Sequence, residues 1–344
     1  MASSTPTYRL TLQGRDITPT LDARLISLTL TECRGDKADQ LDIALTDHDG
    51  ALQLPGKGVE LTLAIGWAGE ALIDKGTFTV DETEHSGAPD TITIRARSAD
   101  LGKSLRTRAE HSYHGTTLGA ILKKIAARHS LTSRIDGALA ARAIAHIDQA
   151  GESDLNFVTR LAKRYDAVAT VKHGHLIFLP INGTKTSAGE SLPTLTLTRA
   201  DGDQHRYHTS DRDAYSGVRA YWHDGKHAKR RGVLIGLSGN AKRMKESFAD
   251  ESTARTAAKA EWQRLQRGAS TFELTLARAN PLLAPQTPVR VTGFKPQIDS
   301  DKWLCITVTH SIGDGGFTSK IECENESTDS SDSGKVQDSD AEEN

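Results

Sequence analysis

No stretch of this chain approaches the roughly 20 consecutive apolar residues that span a bilayer, and hydrophobic residues make up only 37% of the total. Membrane insertion is therefore not expected. The first residues, Met1 to Gln13, offer neither a basic start nor an apolar block, so a cleaved export signal is not expected either. Cysteine is scarce and odd in number: Cys33, Cys305 and Cys323, widely spaced. That excludes a disulfide framework as the organising principle. Cys305 and Cys323 fall in β-like runs and are expected to be buried thiols acting as small apolar residues.

Catalytic signatures are missing too. There is no Gly-x-x-x-x-Gly-Lys-Ser/Thr phosphate loop, no His-Glu-x-x-His zinc pair and no Gly-x-Ser-x-Gly elbow. The nearest histidine pairs, His111/His114 and His205/His208, have i,i+3 spacing but lie outside helical patterns and have no third ligand nearby. Asp47-His48-Asp49 precedes Gly50 between two strand patterns and reads as a turn, as do His173 and His175 around Gly174. No catalytic, metal or cofactor residues are expected. A net charge of −2 excludes a chain built to coat nucleic acid.

What is present is β patterning. The 344 residues suit two or three domains. Tyr8, Leu10 and Leu12 alternate with polar neighbours, and so do Leu28 with Leu30, Leu61, Leu63 with Ile65, and Ile92 with Ile94. This period-two pattern with turn residues between runs predicts half-buried antiparallel strands, hence a sandwich or barrel. The period then changes. Leu118, Ile121, Leu122, Ile125 and Ala126 make one helical stripe. A second helix is expected to start at Ser153, with Asp154 in its first turn and Leu155, Val158, Leu161, Ala162 and Tyr165 inward. A hairpin turning at His173-Gly174 follows. Strand patterns resume from Leu195, interrupted by one helix from about Asp250 to Gln266. Its apolar face is Ala254, Ala257, Ala258, Trp262 and Leu265, and Gly268 ends it.

The expected organisation is therefore 1–108, a first β domain; 109–190, an α+β insert; 191–325, a second β domain with one helix; and 326–344, a tail. The tail sets Glu326, Asp329, Asp332, Asp338, Asp340, Glu342 and Glu343 against Lys335 alone and is expected to be disordered. The opposite bias lies between Lys226 and Lys245, with seven Lys and Arg and no acid. Val233 to Leu237 crosses this stretch as an apolar strand, so it reads first as a hairpin with basic, solvated edges. Weak contact with DNA or with an acidic protein partner is the alternative reading.

Four stretches resemble the phage late control D family, the tail hubs of P2-like contractile phages. They are Thr116 to Leu122 leading to His129; Glu152 to Ala162 followed by Tyr165; Tyr215 to Val218 through Trp222 to Gly236; and Pro288 to Pro296 through Trp303 to Phe317 and Thr318. The second, a Ser-x-x-x-Phe-x-x-Arg-Leu-Ala pattern before a hairpin, also resembles the hub portion of type VI secretion spike proteins. The resemblance runs from about Tyr8 to Glu324. It implies a mainly β fold in which two tube-like antiparallel β-barrel domains flank a helix–helix–hairpin insert. It also implies a structural, non-enzymatic hub: a homotrimer joining the sixfold tail tube to a trimeric spike, with further baseplate proteins as partners. The expected location is the virion tail, after assembly in the bacterial host cytoplasm. No room remains for a needle, so the spike is expected to be a separate chain. The rival readings are a tail-borne cell-wall hydrolase and a DNA-binding late-gene regulator.

Overall fold

The computed structural model describes residues 5–35, 37–98, 103–172, 174–181, 193–209, 215–225, 227 and 229–326. The expectations placed on Lys226, on the turn at His173 and on the tail beyond Glu326 lie outside the described residues. The fold is mainly β, with a few helices.

The first hundred residues form β1 (Pro6–Leu12), β2 (Arg15–Asp16), α1 (Thr18–Leu21), β3 (Leu25–Cys33), β4 (Gln40–Thr46), β5 (Glu60–Trp67), β6 (Ile73–Ser86) and β7 (Thr91–Ser98). Six of these strands pair in the order β3-β4-β7-β6-β5-β1. Their alternation puts Leu28 and Leu30, Leu41 and Ile43, and Leu61 and Leu63 on one face, all buried. Leu10 on β1 and Leu28 on β3 sit at opposite ends of this path yet share one core. The sheet must therefore curl around that core as a barrel does.

The middle region holds β8 (Arg108–Thr117), α2 (Leu118–Arg128), β9 (Thr132–Ile135), α3 (Gly137–Ala140), β10 (Ala143–Ser153), α4 (Asp154–Arg164), β11 (Ala167–Lys172) and β12 (His175–Pro180). The second long helix begins at Ser153 as expected, and both long helices are capped. Thr117 Oγ1 accepts the Ala120 N–H at 3.2 Å, and Ser153 Oγ accepts the Asn156 N–H at 3.2 Å. Each cap satisfies one of the four orphan amides at a helix start. Ser153→Ala is expected to cost about 1 kcal/mol, read as a lower urea midpoint at unchanged slope. The apolar stripes of α2 and α4 close on Phe178, Val171 and Leu176 of the hairpin. Gly119 sits where a Cβ would meet Ala140 Cβ at 2.9 Å, so α2 and α3 approach more closely than a larger residue allows. Two elements go beyond the expected pair of helices and hairpin. β8 and β10 form an antiparallel ribbon, and β9 adds to β12 in parallel.

The last region contains β13 (Leu195–Thr198), β14 (Gly202–Thr209), β15 (Gly217–Asp224), β16 (Lys229–Gly236), β17 (Ala241–Phe248), α5 (Glu251–Arg267), β18 (Ser270–Leu276), β19 (Pro288–Thr292), α6 (Pro296–Asp299), β20 (Trp303–Gly313) and β21 (Gly316–Asn325). It is not one body. β13, β14 and β18 to β21 surround Phe272, Trp303 and Ile321. α5 packs instead on the three-stranded sheet β16-β15-β17, around Val218, Ala220, Val233, Phe248 and its own Ala254, Ala257 and Ala258. Asp250 caps α5 and Gly268 ends it. Leu237 falls just past β16 and is 73% exposed, so the apolar strand ends one residue short of its expected limit.

The two β halves are joined edge to edge. β20 pairs antiparallel with β3, from Thr307 opposite Cys33 to Gly313 opposite Ser27. A 13-stranded sheet results, antiparallel except where β13 runs parallel to β19. At this junction each half contributes a hairpin, β3–β4 and β20–β21, and then continues through two more strands, β7 and β6 or β18 and β14. Among the described residues no helix is long and apolar enough to cross a membrane.

Candidate functional site

The large sheet has one face turned from its cores, and that face runs unbroken across both halves. In register across the junction lie Thr307, Thr309 and Ser311 of β20 and Thr29 and Thr31 of β3. Outward positions farther from the junction carry charge. On one side Arg206 meets Glu273 at 3.7 Å, and Lys320 meets Glu273 at 2.9 Å and Glu322 at 3.4 Å. On the other, Arg95 meets Glu82 at 2.7 Å and Asp42 at 3.9 Å, and Arg97 meets Asp81 at 3.0 Å. Solvated pairs of this kind contribute at most about 1 kcal/mol each. They make a surface: a threonine strip between two charge-laced bands, wettable throughout.

Behind that face, two buried clusters of charge fix how the regions meet. In the first, Glu32 of β3 takes Lys75 Nζ of β6 at 2.7 Å and lies 3.6 Å from Lys172 of β11, which reaches Asp39 at 2.7 Å. His310 of β20 stands 3.7 Å from Glu32, and its Nδ1 lies 2.8 Å from Ser319 Oγ. The Leu283 carbonyl accepts from Lys75 Nζ at 3.0 Å and lies 3.4 Å from His310 Nε2. Burial alone would push the Glu32 carboxyl up, but the Lys75 and Lys172 charges outweigh it and hold it below its ordinary value. At Asp39 burial wins, and its pKa rises despite Lys172. Burial, aided by the Lys75 charge, pushes the His310 imidazole down to about 4.

The second cluster joins four segments of the chain. Arg267, the last residue of α5 and 1% exposed, grips Asp166 with two guanidinium nitrogens, one at 2.7 Å. Its Nε donates to Glu324 of β21 at 3.1 Å, and Glu324 also takes Arg34, just beyond β3, at 2.5 Å. Both clusters were missed in the sequence, and only the first left a signal. Glu32 continues the inward Leu28–Leu30 alternation, and His310 sits between inward Val308 and Ile312. Arg267 follows the helical stripe that ends in polar residues, where nothing local marks it as buried.

The seam between the halves has a further contact. Trp67 Nε1 donates to the Ala279 carbonyl at 3.1 Å, and the Arg278 guanidinium lies 4.2 Å above the Trp67 ring. A groove of about 560 Å³ opens beside them, with Leu282 at its rim, 72% exposed.

The residues weighed in the sequence fall elsewhere. His111 and His114 lie on β8, and His205 and His208 on β14; three apart on a strand means opposite faces. His114 pairs instead with His146 of β10, ring nitrogens 3.0 Å apart, while His205 packs edge-on against Phe294. Asp47-His48-Asp49 is a turn. The Asp47 carbonyl accepts the Gly50 N–H at 2.9 Å, and Arg24 clamps Asp49 at 2.7 and 2.5 Å. Cys305 and Cys323 are free, buried and opposite one another, sulfurs 3.6 Å apart. The basic stretch falls on β16 and β17, the two edge strands flanking β15, so it is not a hairpin of its own.

The sequence and the fold are similar to those of known tail proteins. A family model described as phage tail baseplate hub (GPD) matches residues 37–316. The probable baseplate hub proteins of Escherichia phage 186 and Escherichia phage P2 are each 42% identical, over 94% and 93% of this chain and 93% of each relative. The 43 kDa tail protein of prophage MuSo2 from Shewanella oneidensis shares the fold at a TM-score of 0.69 and 18% identity, covering 93% of this chain and 98% of that one. So does an E. coli component of the type VI secretion system, described as structurally similar to the T4 tail proteins gp27 and gp5. Its TM-score is 0.54 at 17% identity, over 91% of this chain and 76% of that one.

Proposed function

The chain belongs to the phage tail baseplate hub family and is a structural hub protein of the tail baseplate, and from that premise we propose that it acts as a homotrimeric adaptor between a sixfold tail tube and a threefold spike. The observation that supports this most directly is the repeated strand order on either side of β3 and β20. One chain then offers two similar β units, and three chains offer six. In this reading the polar face of the large sheet is turned toward the central channel. Threonines and compensated charges suit a wall that must stay wet and grip nothing. Closed symmetry would cover edge strands that a lone chain leaves open.

The finer divisions follow from the same reading. Residues 1–108 and, within 191–325, the strands β13, β14 and β18 to β21 supply the tube-like units, and 109–190 is the insert that faces other baseplate parts. Spike and tube are the partners, and assembly takes place in the host cytoplasm before the virion is complete. The hub's action is mechanical rather than catalytic, which the family description supports.

The test is mass by light scattering, for the purified chain alone and mixed with the spike of the same tail. The expected result is a mass of three chains, or of three hubs with three spike chains. A chain that stays single in both conditions would overturn the adaptor reading.

A further inference from the structure

The sheet β16-β15-β17 has two faces with opposite partners. One is covered by α5. The other alternation presents Arg219 and Tyr221 of β15, Arg230 of β16, and Arg243 and Lys245 of β17. Among the described residues no carboxylate shares this face, and none forms an ion pair with these four cations. Arg230 lies 4.0 Å above the Tyr221 ring, which holds its charge outward. By contrast, the cations on the α5 side are compensated: Lys242 meets Glu261 at 2.7 Å and Arg231 meets Asp224 at 3.1 Å. Apart from Lys229 at the end of β16, the uncompensated charge among the described residues of this sheet lies on the face away from α5.

The chain's own C-terminal segment has the complementary charge. Residues 327–344 carry six acids against Lys335. The segment also starts next to this unit. Asn325 accepts the Ser270 N–H at 3.2 Å and donates to the Gln266 carbonyl at 3.1 Å, so the chain leaves β21 at the C-terminal end of α5. Extended, residues 327–344 reach at most about 60 Å. α5, with 17 residues, is about 25 Å long. The segment is therefore long enough to pass around the unit to its far face.

We propose that the acidic segment 327–344 docks on the Arg219–Arg230–Arg243–Lys245 face of the same chain, as a built-in ligand that an acidic partner of that face must displace. Many weak charge contacts act together here, because the tether raises the segment's local concentration.

Zero-length carbodiimide coupling of the full chain, read by mass spectrometry, tests this. The expected links join Lys245, or Lys229 at the end of the same sheet, to Asp329, Asp332, Asp338, Asp340, Glu342 or Glu343. They should exceed links to the distant Lys123 and Lys124 on α2. Their yield should fall about tenfold in 1 M salt, where charges are screened beyond about 3 Å. The same loss is expected at low salt in Arg230→Glu/Arg243→Glu, two exposed positions, with an unchanged circular dichroism spectrum. Links spread evenly over all lysines, links only between chains, or links that survive the double substitution would each overturn the proposal. So would an absence of links together with DNA binding that the double substitution abolishes, since the face would then serve nucleic acid.

Discussion

Arg267→Ala is expected to lower stability by about 3–5 kcal/mol, the range for removing one partner of a buried ion pair. The guanidinium is 1% exposed and lies between Asp166 and Glu324. Without it Asp166 loses its partner in the interior, while Glu324 keeps Arg34. Three bodies should loosen together, because Asp166 belongs to the α+β insert, Glu324 to the second β half, and Arg267 to the helix on the small sheet. The check is urea unfolding of the full chain, followed at its first transition because several bodies need not unfold as one. Arg267→Ala/Asp166→Ala should cost less than the sum of the two single substitutions, since it removes both ends of the same pair. A loss under about 1 kcal/mol for Arg267→Ala would mean that the cluster is solvated and not holding the bodies together.

Acid should weaken the chain through His310. Its folded pKa, about 4, lies below the ordinary value of about 6.5. Between those values the unfolded chain binds a proton that the folded chain refuses. Stability is therefore lost as pH falls from about 6.5 to about 4, by up to roughly 3 kcal/mol. Asp39, whose pKa is raised, acts in the opposite direction at the lower end of this window. Glu32, held low, adds to the loss only below its ordinary range. The difference between the wild type and His310→Asn isolates the histidine. The variant's urea midpoint should fall less steeply between pH 6.5 and 4.5, and parallel profiles would remove His310 from the account.

Local rules reached far into this fold. Ser153 and Asp154 marked the start of α4 because capping is a property of four adjacent residues. Period-two runs marked β3, β5 and β7 because one wet face and one dry face leave that imprint. The same rules passed over β8 and β10, where Tyr113, Ile144 and Ile147 are the buried residues among histidines, acids and arginines. They also passed over Phe157 and Asp154 on α4, both buried. Asp154 is more than a first-turn charge favoured by the helix dipole: it also receives Gln149 at 2.8 Å and lies 2.7 Å from His129. The family resemblance supplied the hub, which no periodicity could. The polar face and the way each charge cluster comes together were not legible, because each joins segments far apart in the chain. Register between distant strands has no local signal.

The β3–β20 pairing has a consequence for how the molecule is made. Cys33 and its partner Thr307 are separated by most of the chain. At about 5–20 residues per second, a ribosome that has finished β3 needs roughly a quarter of a minute to a minute more before β20 emerges. Throughout that interval β3 is a growing protein's open edge, with unpaired amides and carbonyls ready to accept a strand from any neighbour. Its outward row of Ser27, Thr29 and Thr31 offers no charge to repel one. Chains interrupted during synthesis should therefore aggregate through that strand, and the wild-type yield should depend on how quickly the C-terminal hairpin arrives to close it.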